Sequence, residues 1–195
     1  MHRRKMEPCP GSALYGKKEL AAAAELLVRA AWHEGVSVAI AGGLAMQFYG
    51  SPRLTADVDL VAGAVPKFVI PVRWLTFGGV SSTGVDGIPV DWIVRVDNYA
   101  GLYREALDQA VEIADLPVVS PEYLTAIKMQ AGRGKDNDDL IYLLQQPRLV
   151  DRAAAKMIAR RHVGGKFAED GMESLMQVAD WRSAKDERLR RSEER

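Results

Sequence analysis

The chain has one cysteine, Cys9, so no internal disulfide braces the fold, and a reducing compartment is expected. Acidic and basic residues balance at 26 each, so global charge selects no nucleic-acid or membrane partner and only local patches can speak to that. No run approaches the roughly 18 apolar residues of a membrane-spanning helix. No apolar run follows Arg3, Arg4 and Lys5, so residues 1–16 read as a flexible leader and not as a secretory signal. There is no glycine-rich loop ending in Gly-Lys-Ser/Thr, which argues against a P-loop nucleotidase. The three histidines, His2, His33 and His162, are scattered, and nothing has zinc-ligand spacing. What remains is ordinary globular material, 48% apolar and 27% charged in 195 residues. That suffices for one well-cored domain, or a compact catalytic domain with a helical annex. A soluble cytoplasmic protein is expected.

The informative stretch runs from Ala41 to Leu60. An apolar strand leads into Gly42-Gly43, a short helix follows, and then a strand carries Asp57 and Asp59. Residues two apart on a strand share a face, so the two acids project together while Val58 and Leu60 turn to the core. Paired carboxylates repel unless something positive lies between them, and a divalent metal is the usual solution. Gly42 and Gly43 have no Cβ to block close approach, and they open a helix whose first N–H groups favour a phosphate. A metal site beside a phosphate cradle implies a nucleoside triphosphate. Asp91 is the candidate third carboxylate, an acid interrupting the apolar strand Pro89–Val94, because burying it alone would be costly. Its role would be to accept the proton of an attacking hydroxyl. Asp86 and Asp97 compete, but turn and strand-end chemistry explains both.

Gly-Gly, 13 intervening residues and then Asp-x-Asp resembles the nucleotidyltransferase superfamily related to DNA polymerase beta. The form Arg53-x-Thr55-x-Asp57-x-Asp59 looks most like its AbiEii toxin-like branch. A second block agrees: Leu116 to Glu122, then Lys128, then Arg133-x-Lys135-Asp136 and Asp139. The resemblance covers about residues 20–145, and the turn is Gly-Gly where many members have Gly-Ser. It implies a Mg²⁺-dependent enzyme, with two ions held by Asp57, Asp59 and Asp91. Such an enzyme moves a nucleoside monophosphate from an NTP to a hydroxyl and releases pyrophosphate. In that branch the acceptor would be the 3′ end of tRNA, and a cognate antitoxin would restrain the toxin. The rivals are a small-molecule antibiotic adenylyltransferase and a non-catalytic nucleotide- or RNA-binding module of the same fold.

Supporting residues follow. Lys128, in an otherwise apolar helix, either neutralises charge on the transferred phosphate or is a solvated lysine. Asp136 either orients Lys128 or Arg133 through a salt bridge or caps the helix near Lys135. Arg53 and Thr55 either touch phosphate or shape the loop. Arg152, Lys156 and Arg160 recur every four residues and share a helix face, a ridge that either follows an RNA backbone or is merely the solvated side.

The order of elements implies an α+β fold, with a small mixed sheet first and a helical second half. Helices are expected at 18–34, 43–49, 99–110, 121–131, 135–145, 149–162 and 166–182. Strands are expected at 36–41, 56–61, 73–84 and 88–96, with a short one at 111–113. The boundaries are a leader at 1–16, a nucleotidyltransferase core at 17–97, a helical region at 98–182 and a charged tail, disordered or frayed, at 183–195. The stretch Ala62 to Pro71 has no legible pattern.

Overall fold

A computed structural model describes residues 18–193, so the expected leader at 1–16 lies outside the described residues. The chain divides between Ser120 and Pro121 into two compact units.

The first unit is built on a seven-stranded mixed sheet with the order β3-β4-β5-β2-β1-β7-β6. Helix α1 (Lys18–His33) buries Leu20, Ala24, Val28 and Ala31 along one stripe and packs on β1. Gly35, with φ +72°, ends it in the left-handed conformation that an L side chain resists, and the Val36 N–H closes onto the Ala31 carbonyl at 2.9 Å. Strand β1 (Val38–Ile40) is buried throughout and leads into α2 (Gly42–Phe48), which packs on β2 (Val58–Ala62).

The expected strand at 73–84 is two strands, β3 (Pro71–Trp74) and β4 (Gly79–Thr83). Gly78 and Gly79 take φ of +106° and +93° and turn the chain back, closed by the Leu75 N–H on the Gly79 carbonyl at 3.0 Å. A Cβ on Gly79 would sit 1.9 Å from the Trp92 carbonyl oxygen, so only glycine fits there. β4 pairs antiparallel with β5 (Pro89–Ile93) around the expected Asp86-Gly87 turn. β5 then pairs parallel with β2.

Helix α3 (Ala100–Asp108) precedes β6 (Val111–Ile113) and β7 (Leu116–Val118), and β7 lies parallel to β1. These two strands return the chain to the sheet, so the sheet-bearing unit extends to Ser120, well past residue 97. One face of the sheet is the core. Ile40, Leu60, Trp92 and Val80 stand in register on it and are fully buried. The Trp92 indole N–H donates to Ser82 Oγ at 3.1 Å, and Phe68 meets the same ring edge-on at 5.7 Å.

The second unit is helical among its described residues: α4 (Pro121–Ala131), α5 (Gly134–Leu144), α6 (Arg152–Ala159), a π-helical turn over Arg160–Gly164, and α7 (Gly165–Glu193). Asp151 caps α6, accepting from the Ala153 and Ala154 N–H groups at 2.9 and 3.1 Å. The charged segment from 183 continues α7, which runs to Glu193 and is exposed through Ser192. No helix among the described residues is long and apolar enough to cross a membrane.

Candidate active site

The burial alternation that starts at Asp57 is the one its sequence requires. Val58 and Leu60 are buried, and Asp57 and Asp59 are half-buried on the opposite side. Asp57 lies one residue before β2 begins, and Asp59 lies within it. Asp91 is the direct register partner of Asp59 on the neighbouring parallel strand. Opposed residues of paired strands share a face, so the sheet brings Asp59 and Asp91 side by side, away from Leu60 and Trp92.

The Gly42-Gly43 turn lies against these acids. Gly42 has φ +58°, and a Cβ there would fall 1.7 Å from Asp59 Oδ2. A Cβ on Gly43 would fall 2.5 Å from Thr55 Oγ1 and 3.3 Å from an Arg53 guanidinium nitrogen. The glycines therefore make room for Asp59, Thr55 and Arg53, the other members of the motif. Backbone joins the same parts, with the Ala41 N–H donating to the Asp59 carbonyl at 2.8 Å.

Thr55 Oγ1 donates to Asp57 Oδ1 at 2.5 Å, which fixes one carboxylate orientation at the strand entrance. Gln47, almost fully buried on α2, donates to the Arg53 carbonyl at 2.9 Å and pins the loop. Sequence reasoning passed over Gln47. Its signal was a lone amide in a helix whose other side chains are apolar, which must find a partner when buried.

Gly42→Ala should therefore fold with a loss of about 1–2 kcal/mol for the left-handed backbone and displace Asp59. Any activity that uses Asp59 should fall about a hundredfold, as misplacement of a reacting group by an ångström does. A thermal melt and a rate measurement on the same sample check both halves.

Among the described residues no His, Cys, Asp or Glu cluster of three or more is gathered closely enough to hold a metal ion by itself. The donor chemistry still suits Mg²⁺. That ion keeps several waters and is usually bound by one or two carboxylates together with substrate phosphates, without an all-protein cage. Asp59 and Asp91, as register partners, are two carboxylates of the number such a site uses.

The second motif block forms a different arrangement within the helical unit. The Lys128 side chain is buried, and its ammonium donates to Asp139 Oδ2 at 2.6 Å and Asp136 Oδ1 at 3.1 Å. Arg133 Nε donates to Asp136 Oδ2 at 2.6 Å. Lys128 is thus held in a buried ion-pair network and is not the solvated lysine of the alternative reading. Asp136 makes the salt bridges to Lys128 and Arg133, and no side chain caps α5.

Burial pushes the Asp136 carboxyl up, but hydrogen bonds from Arg133 and Lys128 and their charges outweigh it and hold the group below its ordinary 3.8. Arg133 is the accessible member, with 62% of its side chain exposed. Asp139, the shorter contact to Lys128, was not singled out as a site residue. Its position three residues after Asp136 on one helix face was the available sign.

The basic ridge is matched, cation by cation, by α7. Arg152 meets Asp180 at 2.7 Å, Lys156 meets Glu173 at 3.0 Å and Arg160 meets Glu169 at 3.2 Å. Arg152 also donates to the Leu144 carbonyl at 3.0 Å, and its hydrogen bond lowers the Asp180 carboxyl. The stripe pairs along its length with α7, and Arg160 keeps 63% of its side chain exposed. Reversing Lys156 to Glu should destabilise the protein, and a second reversal, Glu173→Lys, should restore it. The coupling expected in a double-mutant cycle of thermal melts is about 0.5–1 kcal/mol.

Neither a protein-family model nor a curated protein matches the chain. Among solved structures it is similar to an antigenic nucleotidyltransferase-like protein from Paracoccidioides brasiliensis. The TM-score is 0.47 and the identity 18%, over 83% of this chain and 93% of that one.

Proposed function

We propose that this protein transfers a nucleoside monophosphate from an NTP to a hydroxyl, with Mg²⁺ held by Asp57, Asp59 and Asp91. The observation that carries the reading is the register pair Asp59 and Asp91, set against a glycine turn that admits no side chain. When bound, the metal supplies charge to the triphosphate and to the leaving pyrophosphate.

The protein's own groups would do the rest. The acceptor oxygen attacks the α-phosphorus, and the bond from that phosphorus to the oxygen bridging it to the β-phosphate breaks. Asp91 takes the acceptor's proton. The backbone N–H groups of the Gly42-Gly43 turn would meet the phosphates, the space a Cβ would fill holds Asp59 and Thr55, and Thr55 holds Asp57 in one orientation. Within the helical unit, Lys128 and Arg133 both pair with Asp136.

The family resemblance points to the 3′ end of tRNA as acceptor, and to a toxin restrained by an antitoxin. A small hydroxylated acceptor, as in antibiotic adenylyltransferases, is favoured by one observation: the basic ridge that would have followed RNA is neutralised by α7. Parallel reactions with α- and γ-labelled NTP, offered total tRNA or hydroxylated antibiotics, test the reaction class. The α-label should appear on the acceptor and the γ-label in pyrophosphate. A γ-label on the acceptor would make the protein a kinase and end this reading.

A further inference from the structure

The carboxylate row does not stop at Asp91. Ser81 on β4 is the register partner of Asp91, and Arg73 on the edge strand β3 is the register partner of Ser81. Asp59, Asp91, Ser81 and Arg73 therefore stand in one line across four adjacent strands, on the face opposite Leu60, Trp92 and Val80.

Arg73 owes its place in that line to a bulge. Pro71 opposes Ser82, so regular pairing would set Val72 against Ser81 and Arg73 against Val80, on the buried face. The register shifts between Pro71 and Arg73, so Arg73 opposes Ser81 and Trp74 opposes Val80. One extra residue thus turns a guanidinium from the apolar face to the carboxylate face, and re-aiming a side chain beside a site is a recurrent use of bulges. Arg73 is exposed and makes no ion pair or hydrogen bond through its side chain among the described residues. The next arginine, Arg95, shows what a structural role looks like here. It pairs with Asp97 at 2.6 Å and stacks on Phe77, Tyr99 and Tyr103.

We propose that Arg73, with the Ser81 hydroxyl beside it, is an acceptor subsite that takes a phosphate group of the molecule being nucleotidylated. The inference rests on the nucleotidyl-transfer reading, which assigns the two ends of the row. The glycine turn follows β1, which flanks β2 on the side away from β5, so the triphosphate belongs at the Asp59 end. The acceptor hydroxyl belongs at Asp91. Arg73 lies beyond it by two strand spacings, roughly 10 Å between backbones. The long arginine side chain shortens that gap toward the distance between a sugar hydroxyl and a phosphate of the same molecule. A guanidinium with its donor fork open to solvent is suited to phosphate.

The test is a nuclear magnetic resonance titration of the full chain with ribose, ribose 5-phosphate and a short RNA ending in a 3′ hydroxyl. Amide shifts at Arg73 and Ser81 should saturate with the phosphorylated ligands. Arg73→Ala should weaken that binding about tenfold, the scale of one charged hydrogen-bonded contact, while Arg73→Lys keeps part of it. In transfer assays Arg73→Ala should raise the acceptor KM similarly, with kcat and the NTP KM unchanged. Tighter binding of RNA identifies nucleic acid as the source of the phosphate, tighter binding of ribose 5-phosphate a small metabolite, and both support the subsite. Equal binding of ribose and the phosphorylated ligands, or an Arg73→Ala variant indistinguishable from wild type, overturns it. If transfer is absent but phosphate preference still depends on Arg73, a phosphate site at Arg73 stands, and its acceptor role falls with the nucleotidyl-transfer reading. Transfer that is indifferent to Arg73 gives the reverse.

Discussion

Asp59→Asn is expected to lower nucleotidyl transfer at least about a thousandfold, because it removes a charge that balances several kcal/mol of transition-state phosphate charge. Asparagine has nearly the same shape, so it still fits against Gly42, where a Cβ would meet the Asp59 oxygen at 1.7 Å. The melting temperature should therefore move little, which separates chemistry from folding. Asp91→Asn should lose a proton acceptor as well as charge. Its register partnership with Asp59 makes the two effects non-additive, since both residues serve one site. The measurement is a single-turnover rate for each variant beside its thermal melt.

Lys128→Met is expected to destabilise the helical unit by about 3–5 kcal/mol, the cost of leaving buried charge without its partner. Asp136 and Asp139 would then both lose the buried ammonium that pairs with them. Replacing Lys128, Asp136 and Asp139 together by apolar residues should recover most of that loss, because the buried ammonium leaves with both carboxylates it pairs with, and Arg133, which loses Asp136, is largely exposed. Urea unfolding followed by helical circular dichroism reads both.

The pH dependence has a definite sign. The Asp136 carboxyl is held below its ordinary 3.8, so its contribution to stability is present above that value and disappears as pH falls through the lower, folded-state value. Wild type should lose stability below about pH 4. The Lys128→Met variant should lose less over the same range, since protonation relieves its uncompensated charge.

The parts legible in the sequence were those governed by short-range rules. Alternation placed Val58 and Leu60 in the core and Asp57 and Asp59 opposite, and the same rule on Pro89–Val94 isolated Asp91. Gly35 ended α1, and Pro121 opened α4, where backbone chemistry demands it.

Features set by distant partners were not legible. Charges on α6 are visible at every fourth residue, but nothing local says that Asp180, Glu173 and Glu169 of α7 would face them. The division of β3 from β4 is a different case, because Gly78-Gly79, which takes positive φ between the strands, is a turn signal that the sequence does carry. The need for glycine at 42 and 43 was readable, but that Asp59 and Thr55 occupy the cleared space required coordinates.

The most direct test is a transfer reaction with each of four α-labelled NTPs, Mg²⁺ and a mixed pool of tRNA and small hydroxylated acceptors. Wild type would run beside an Asp59→Asn/Asp91→Asn double variant. The expected result is label on an acceptor, with an equal amount of pyrophosphate, from wild type alone and lost on chelation of the metal. Label transfer that persists in the double variant would contradict the assignment of the chemistry to the carboxylate row.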